Sequence, residues 1–274
     1  MTVRRKIFNV DYDSDLGYPD QYNRTIFKLA LRVHLSPMNP EHDQETTTVF
    51  DITNQKFTIQ RWTDAEWTTF TSEFKKDAET HLNWPKMELY LLPSVRPNEK
   101  MSKFQILYFV GRDPEWNKST PYVQCGLTIE LVADKNKAHV AFRVIRLKDG
   151  EPNFRAFDVE VEGGEDWGVL TNRSIDLWNT QRNDDGVVQN VVSHELGHVL
   201  GLSHINANDP RCLRTDGNAA ICGGAHGTPQ YNNLMGYGNR VTAENAGPWM
   251  MRIPAHADSL SWWATTRRPD LIDL

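Results

Sequence analysis

Residues 194–204 read His-Glu-Leu-Gly-His-Val-Leu-Gly-Leu-Ser-His, and the interpretation of the whole chain starts from this stretch. Two histidines four residues apart lie on the same face of a helix, so His194 and His198 can reach one metal ion. Gly201 can end that helix at a backbone angle that other residues resist, and the chain then returns His204 as a third ligand. Three imidazoles leave one coordination position open, which is the pattern of a catalytic zinc site and not of a closed structural one.

The helix that carries these histidines is predicted to begin near residue 185, with Asp184 or Asp185 placed to cap its start. A bare His-Glu-x-x-His pattern arises by chance in many chains, but the extended pattern here fixes five positions and favours a metal site. The helix also has a broad apolar face that would bury it. That face comprises Val187, Val188, Val191, Val192, Leu196, Val199 and Leu200.

A second motif lies downstream, where residues 232–238 read Asn-Asn-Leu-Met-Gly-Tyr-Gly and place Met235 in a glycine-flanked turn. Together the two motifs resemble the metzincin clan of zinc endopeptidases, in which the zinc helix is followed by a "Met-turn". The resemblance implies that Met235 forms a hydrophobic floor beneath the metal. The alternative is that this methionine is ordinary core filler.

The pattern Met235-x-Tyr237 is similar to that of the astacin, serralysin and pappalysin branches. Asn233, two residues before Met235, completes an Asn-x-Met-x-Tyr pattern that leans toward the pappalysin-like branch. In these branches the tyrosine approaches the metal or the tetrahedral intermediate, which implies such a role for Tyr237. Matrixins carry a Pro-Arg-Cys latency segment before the catalytic domain, whereas here Asp209-Pro-Arg-Cys212 follows the third histidine. We therefore interpret Cys212 as an ordinary loop cysteine and not as a zinc cap.

The resemblance implies a zinc-dependent endopeptidase that hydrolyses proteins or peptides with zinc-activated water. Glu195, which is not a ligand, would serve as general base and then as general acid to the leaving amine. Tyr237 would donate a hydrogen bond to the developing oxyanion. Substrate would lie extended along an exposed sheet edge. Two alternatives stay open: a highly selective exported effector or toxin protease, and a zinc-containing binding protein without turnover, against which the intact Glu195 argues.

The composition argues against some classes of binding partner. The chain has 274 residues and a formal net charge of −6, so it shows no basic footprint for nucleic acid or for an anionic membrane. No apolar run approaches the roughly 20 residues that span a bilayer. The first residues carry no hydrophobic stretch of a secretory signal, so we expect secretion by a leaderless route or as a trimmed mature form over cytoplasmic residence. The sequence does not indicate an oligomeric state.

The three cysteines are too few for a disulfide framework. Cys212 and Cys222 could close a small loop if the protein works outside the cell, with Cys125 left as a buried free thiol; reduced cysteines throughout are the alternative. Asp209 and Asp216 could bind calcium, but without a regular calcium-loop pattern solvated acids are the better interpretation. The remaining histidines lack ligand spacing and are interpreted as surface or core residues: His34, His42, His81, His139, His226 and His256.

The pattern of elements predicts an α+β fold with a metzincin-like catalytic domain. It would have a twisted mixed sheet with a backing helix, an active-site helix, and a small irregular lower subdomain with the Met-turn and a C-terminal helix. We assign residues 1–23 to an N-terminal arm and residues 24–274 to one catalytic domain. Its upper part is residues 24–204 and its lower part residues 205–274.

Alternation over residues 24–36 predicts a strand, and a Thr63–Glu66 capping box begins a predicted backing helix over 63–82 whose aromatic stripe packs on the sheet. Further strands are predicted at 87–92, 103–110, 122–132, 138–147, 155–161 and 174–178, and a hairpin turn from Asp134 joins the third and fourth of these. A closing helix is predicted over 256–266, with Leu260, Trp262 and Trp263. Residues 238–253 would carry the specificity pocket, where Trp249, Met250 and Met251 suggest an apolar wall, although core packing explains them equally well.

Overall fold

The computed structural model describes residues 12–17, 25–50, 54–83, 86–93, 122–152, 154, 157–161, 165–175, 188–206, 212, 222–225, 227–256 and 262–266. Within this part of the chain the fold is α+β, as predicted, with few helices and a mixed sheet. The strands are β1 Asp13–Leu16, β2 Thr25–Met38, β3 Thr46–Phe50, β4 Lys56–Gln60, β5 Tyr90–Pro93, β6 Val123–Leu131, β7 Val140–Ile145, β8 Phe157–Val161, β9 Glu165–Thr171 and β10 Trp262–Thr265. The helices are α1 Asp64–His81, α2 Val191–Val199 and α3 Gly247–Arg252.

The main sheet has the strand order β10-β5-β6-β2-β7-β9-β8, with β1 paired to β2 outside this path. Strand β7 pairs in parallel with β2 and with β9, whereas β8 is antiparallel to β9 and β10 is antiparallel to β5. Strands β3 and β4 form a separate antiparallel pair. Strand β1 lies within the stretch that we assigned to the N-terminal arm, so part of that stretch adds to the sheet.

By its internal contacts the chain forms two compact units. The first comprises residues 1–11, 31–79 and 129–239 and contains α1, α2 and the predicted metal-binding histidines. The second comprises residues 12–30, 80–128 and 240–274 and contains β5, β10 and α3. Among the described residues, no helix has both the length and the apolar character needed to cross a membrane.

Helix α1 packs in the first unit through the aromatic stripe that the sequence predicts. The capping box forms, because the Thr63 N–H donates to Glu66 Oε2 (3.0 Å) and the Glu66 N–H donates to Thr63 Oγ1 (3.3 Å). Phe70 and Phe74 are buried on the inner face of the helix, and the ring of Phe74 lies 6.3 Å from that of Phe142 on β7. The backing helix is thus held on strand β7 of its own unit.

The prediction of strand β2 is also confirmed. Phe27, Leu29, Leu31 and Val33 alternate along it, and all four side chains are completely buried. The predicted strands at 122–132, 138–147 and 155–161 correspond to β6, β7 and β8, and the strand predicted at 87–92 begins at Tyr90. The strand predicted at 103–110 lies outside the described residues.

The predicted hairpin over residues 134–137 is wrong. The Val132 N–H donates to the carbonyl of Val33 (2.9 Å), and the His139 N–H donates to the carbonyl of Arg32 (2.8 Å). Successive carbonyls of a strand point to opposite edges, so these two bonds lie on opposite edges of β2. The turn therefore carries the chain across β2, and β6 and β7 flank that strand where we expected them to pair with each other.

The strand predicted at 174–178 is wrong in its described part, because residues 172–175 form a turn that follows β9. Ser174 closes this turn by accepting the N–H of Thr171 at Oγ (3.0 Å). Strand β9 itself was missed, since Gly168 at its centre is unfavourable in a strand. The ring of Phe142 on the neighbouring strand covers Gly168 so closely that a Cβ there would collide with it.

The predicted closing helix over 256–266 is also wrong. Residues Trp262–Thr265 form strand β10, which pairs with β5 in a register that sets Trp262 opposite Pro93. The helix of this region lies earlier, as α3, with Pro248 in its first turn. A short apolar run has no reliable period, and here the partner strand β5 decides its conformation. Leu260 lies outside the described residues.

Candidate metal centre

Helix α2 begins at Val191, later than the sequence predicts. Asn190 is its N-cap, with extended backbone angles and a side chain that accepts the N–H of Ser193 at Oδ1 (2.7 Å). Val188 makes a β-bridge and does not continue the helix toward residue 185. The predicted cap at Asp184 or Asp185 is therefore wrong, because an asparagine nearer the motif satisfies the first N–H groups of the helix. Both aspartates lie outside the described residues.

The end of α2 reverses the chain at Gly201, whose φ of +98° lies in the left-handed region that favours glycine. The N–H of Gly201 donates to the carbonyl of His198 (2.9 Å), and the N–H of Leu202 reaches back to Gly197 (2.9 Å). Together these two hydrogen bonds form the pattern of a Schellman turn, which ends helices. It brings the chain back past the helix end and delivers His204 to the same side as the other two histidines.

His194, His198 and His204 converge as the motif predicts. Their potential ligand atoms all lie within 4.8 Å of one another, and among the residues that the structure describes they are the group of His, Cys, Asp or Glu side chains that could hold a metal ion. The ring centroids are 4.8 Å apart for His194 and His198, 4.6 Å for His198 and His204, and 5.4 Å for His194 and His204. These three histidines therefore lie close enough together to bind a metal.

Backbone carbonyls orient two of the three rings. Nδ1 of His194 lies 2.7 Å from the carbonyl of Leu234, and Nδ1 of His198 lies 2.8 Å from the carbonyl of Leu202. A carbonyl can only accept, so each Nδ1 carries the proton and each Nε2 carries the lone pair that a metal needs. The donor set thus fits a divalent cation that prefers neutral imidazoles. Glu195 follows His194 on α2, half-buried, and its carboxylate is outside the converging group.

Met235 packs against α2, the helix that carries His194 and His198. Its side chain is 1% exposed, and a Cβ at Gly197 would collide with its sulfur. Since Gly197 lies one turn after His194 and next to His198, the methionine contacts the helix between the two ligands. The turn is held by Asn233, a completely buried residue to which the sequence analysis assigned no structural role. Its Oδ1 accepts the N–H of Met235 (2.8 Å), a pattern that asparagine favours in turns and that could have identified it.

Gln189 is a residue that the sequence interpretation missed. Its side-chain amide donates to the carbonyl of Gly236 (2.8 Å) and lies 2.9 Å from Nδ1 of His194. The side chain is buried, so it connects the segment before the helix to the turn that contains Met235. No local pattern identifies this role, because the carbonyl partner is distant in sequence.

Tyr237 lies at the end of the same turn. Its ring covers Gly223 so closely that a Cβ there would collide with it, and its centroid lies 5.1 Å from that of Tyr231. The N–H of Tyr237 donates to the carbonyl of Tyr231 (2.9 Å). These contacts fix the orientation of the ring on the strip of chain that follows Cys222.

Cys212 and Cys222 form a disulfide bond, which confirms the pairing that we considered for an extracellular protein. The carbonyl of Cys222 accepts the N–H of Asn206 (3.1 Å), so the disulfide anchors the chain close behind His204 and beside Gly223. Cys212 therefore offers no thiolate to a metal. Cys125 is the buried free thiol, and burial raises its pKa well above the ordinary value.

Other sequence-derived candidates lie away from the three histidines or outside the described residues. Trp249 is 1% exposed and donates its indole N–H to the carbonyl of Gly126 (2.8 Å) in the second unit, which favours core packing over a pocket wall. His34 and His139 bond to backbone groups of neighbouring strands, as expected for structural histidines. The calcium candidates Asp209 and Asp216 are outside the described residues. No protein-family model, curated protein or solved structure matches the chain.

Replacement of a ligand histidine should abolish metal binding. His194→Ala, His198→Ala and His204→Ala should each lose the bound ion, because two imidazoles hold a divalent metal weakly. His42→Ala, at an exposed turn position, is the matched control and should keep it. Elemental analysis after dialysis against zinc measures the metal per chain. Full occupancy in any of the three variants would remove that histidine from the site.

The number of reactive thiols should show whether Cys212 and Cys222 are joined. In the denatured, unreduced protein one cysteine should react with a chromogenic disulfide reagent, and after reduction all three should react. In the native protein Cys125 should react slowly, because the thiolate is the nucleophile and burial raises the pKa of this thiol. Three reactive thiols in unreduced, denatured protein would show that Cys212 and Cys222 are not joined.

Proposed function

We propose that the protein is a zinc-dependent endopeptidase with a metzincin-like catalytic domain. The observation that carries this proposal is the convergence of His194, His198 and His204 around the end of one helix, with Met235 packed against the same helix. A structural zinc site would be expected to present four protein ligands, whereas the described residues present three in this cluster. His194 is 7% exposed and the other two histidines are half-buried.

Zinc is the metal that suits this donor set best. Neutral imidazole is a borderline ligand that zinc, copper, nickel and iron accept, and three histidines with an open position are typical of hydrolytic zinc. When bound, zinc supplies a Lewis acid that activates water near neutral pH and polarises a substrate carbonyl. The carbonyls of Leu234 and Leu202 hold two of the imidazoles in the tautomer that such a cation requires.

Glu195 is the residue that we assign to proton transfer. It neighbours the first ligand on α2 without joining the ligand group, which is the arrangement that a general base at this site requires. Its carboxylate would take a proton from the attacking water and return it to the amine of the departing peptide. A binding protein without turnover has no need of a general base.

Tyr237 is the residue that we assign to stabilisation of the oxyanion. Its ring packs against Gly223 and against the ring of Tyr231. These contacts would hold its hydroxyl in a fixed direction before substrate arrives. A preorganised donor stabilises developing negative charge without reorganisation during the reaction. Substrate is proposed to pair with an exposed sheet edge; among the described strands, β8 ends the main sheet within the unit that holds the histidines.

Glu195→Gln should abolish peptidase activity while leaving the metal in place. The amide keeps the shape of the side chain but cannot accept a proton, so turnover should fall by about 10²–10⁴-fold. Cleavage-site profiling against a proteome would compare wild type, the glutamine variant and chelator-treated wild type, with zinc content measured in each. Cleavage that persists at the wild-type rate in the variant would exclude Glu195 as the base.

The same profiling separates the alternatives. Cleavage of a single protein would favour a highly selective exported effector over a general peptidase. Bound zinc without cleavage of any protein would favour a binding protein. Absence of zinc from wild-type protein would contradict the proposal.

Tyr237→Phe should lower kcat by about ten- to a thousandfold, because it removes one donor to the oxyanion and leaves the ring contacts intact. Tyr231→Phe is the matched control, since it removes a hydroxyl from the ring that packs against Tyr237. The steady-state kinetics of both variants would be measured on a peptide found by the profiling. An unchanged kcat in Tyr237→Phe would return this tyrosine to a purely structural role.

A further inference from the structure

A buried hydrogen-bond network joins the backing helix to the start of the metal-binding helix. Asp77 lies on the inner face of α1, 9% exposed, and its carboxylate accepts a hydrogen bond from the side-chain amide of Asn190. Burial of a carboxylate is costly unless hydrogen bonds compensate it, so its place in the core indicates a specific task. The interpretation of the sequence did not single out either residue.

Asn190 connects three segments of the first unit. Its Oδ1 caps α2 by accepting the N–H of Ser193 (2.7 Å), and its Nδ2 donates a hydrogen bond to the carboxylate of Asp77. Its backbone N–H donates to the side-chain oxygen of Asn239, which follows the turn that contains Met235. The residue is completely buried, and its bonds to Asp77 and Ser193 are buried with it.

The network reaches the first metal ligand directly. The N–H of His194 donates to the carbonyl of Asn190 (3.0 Å), which makes Asn190 the residue that sets the first turn of the helix. A rotation of the Asn190 side chain would change the cap and the direction in which this turn starts. The Asp77 carboxylate also lies beside the positive end of the helix dipole, where negative charge is favourable.

We propose that Asp77 is a positioning residue for the metal site. It holds the Asn190 side chain in the orientation that sets the first turn of α2, and this turn places the ring of His194 close to those of His198 and His204. This inference rests on the proposed metal centre and concerns a residue outside its motif. Its effect passes through Asn190, whose side-chain amide donates to its carboxylate.

Cobalt binding tests this role separately from activity, since the visible spectrum of bound Co²⁺ reports the geometry of its ligands. Asp77→Ala should weaken Co²⁺ and Zn²⁺ affinity by about tenfold, the lower end of what loss of a direct partner of a metal ligand causes, and should change the Co²⁺ spectrum. Asp77→Asn keeps an oxygen that can accept from Asn190 and should restore most of the affinity. Asn239→Ala, at a half-buried position, removes another partner of Asn190 and should shift the affinity in the same direction.

Phe74→Leu is the matched control. Phe74 is completely buried on α1 one turn before Asp77, so its replacement destabilises the same helix without touching the network. Thermal unfolding of the metal-free variants would establish that the control loses at least as much stability as Asp77→Ala. The control should nevertheless keep the wild-type Co²⁺ affinity and spectrum.

The outcomes distinguish the inference from the proposed function. Wild-type affinity and spectrum in Asp77→Ala, or an equal change in Phe74→Leu, would overturn the positioning role while leaving the peptidase proposal intact. If Asp77→Ala does not fold, Asn190→Ser decides, because it keeps a capping oxygen and removes the amide that donates to Asp77: wild-type affinity and spectrum in this variant would overturn the role. Wild-type protein that binds neither Co²⁺ nor Zn²⁺ would overturn both the inference and the proposed function.

Discussion

Three successive carbonyls in one turn organise the candidate metal centre. The carbonyl of Leu234 accepts from the ring of His194, that of Met235 from the N–H of Ile205, and that of Gly236 from the amide of Gln189. The turn therefore holds the first ligand, the chain just after the third ligand, and the segment before the helix. Buried backbone groups must find partners, and here each partner belongs to a different part of the site.

The same turn explains why small residues are found at two contact points. Met235 presses its sulfur against Gly197, and Tyr237 lies flat on Gly223. A side chain at either glycine would push the turn away from the helix or from the strip that follows the disulfide. The disulfide and the hydrogen bond from Asn206 hold that strip behind His204. Tight packing thus connects the proposed oxyanion donor, the ligand loop and the helix into one rigid assembly.

The sequence predicts the elements well where the pattern is long and local. Strand β2 alternates over many residues, and α1 carries both a capping box and an aromatic stripe, so period and cap agree. Prediction fails where a distant partner decides. Gly168 weakens the sequence signal for strand β9, because glycine is unfavourable within a strand. In the structure the ring of Phe142 fills the space beside it. The turn after β6 resembles a hairpin, but bonds to Arg32 and Val33 place β2 between the two strands.

The sequence by itself determined which residues can bind a metal. The spacing of His194 and His198 on a helix, with a glycine before His204, brings three imidazoles together by local geometry alone, and the structure places them so. Only the tertiary structure decided what orients those imidazoles. The carbonyl of Leu234 reaches His194, Gln189 reaches Gly236, and the buried Asp77 reaches Asn190 across long distances in sequence, whereas the cap at Asn190 and the turn at Asn233 are local. Periodicity and capping rules describe neighbours along the chain, whereas hydrogen bonds between buried polar groups exist only once the chain has folded and excluded water.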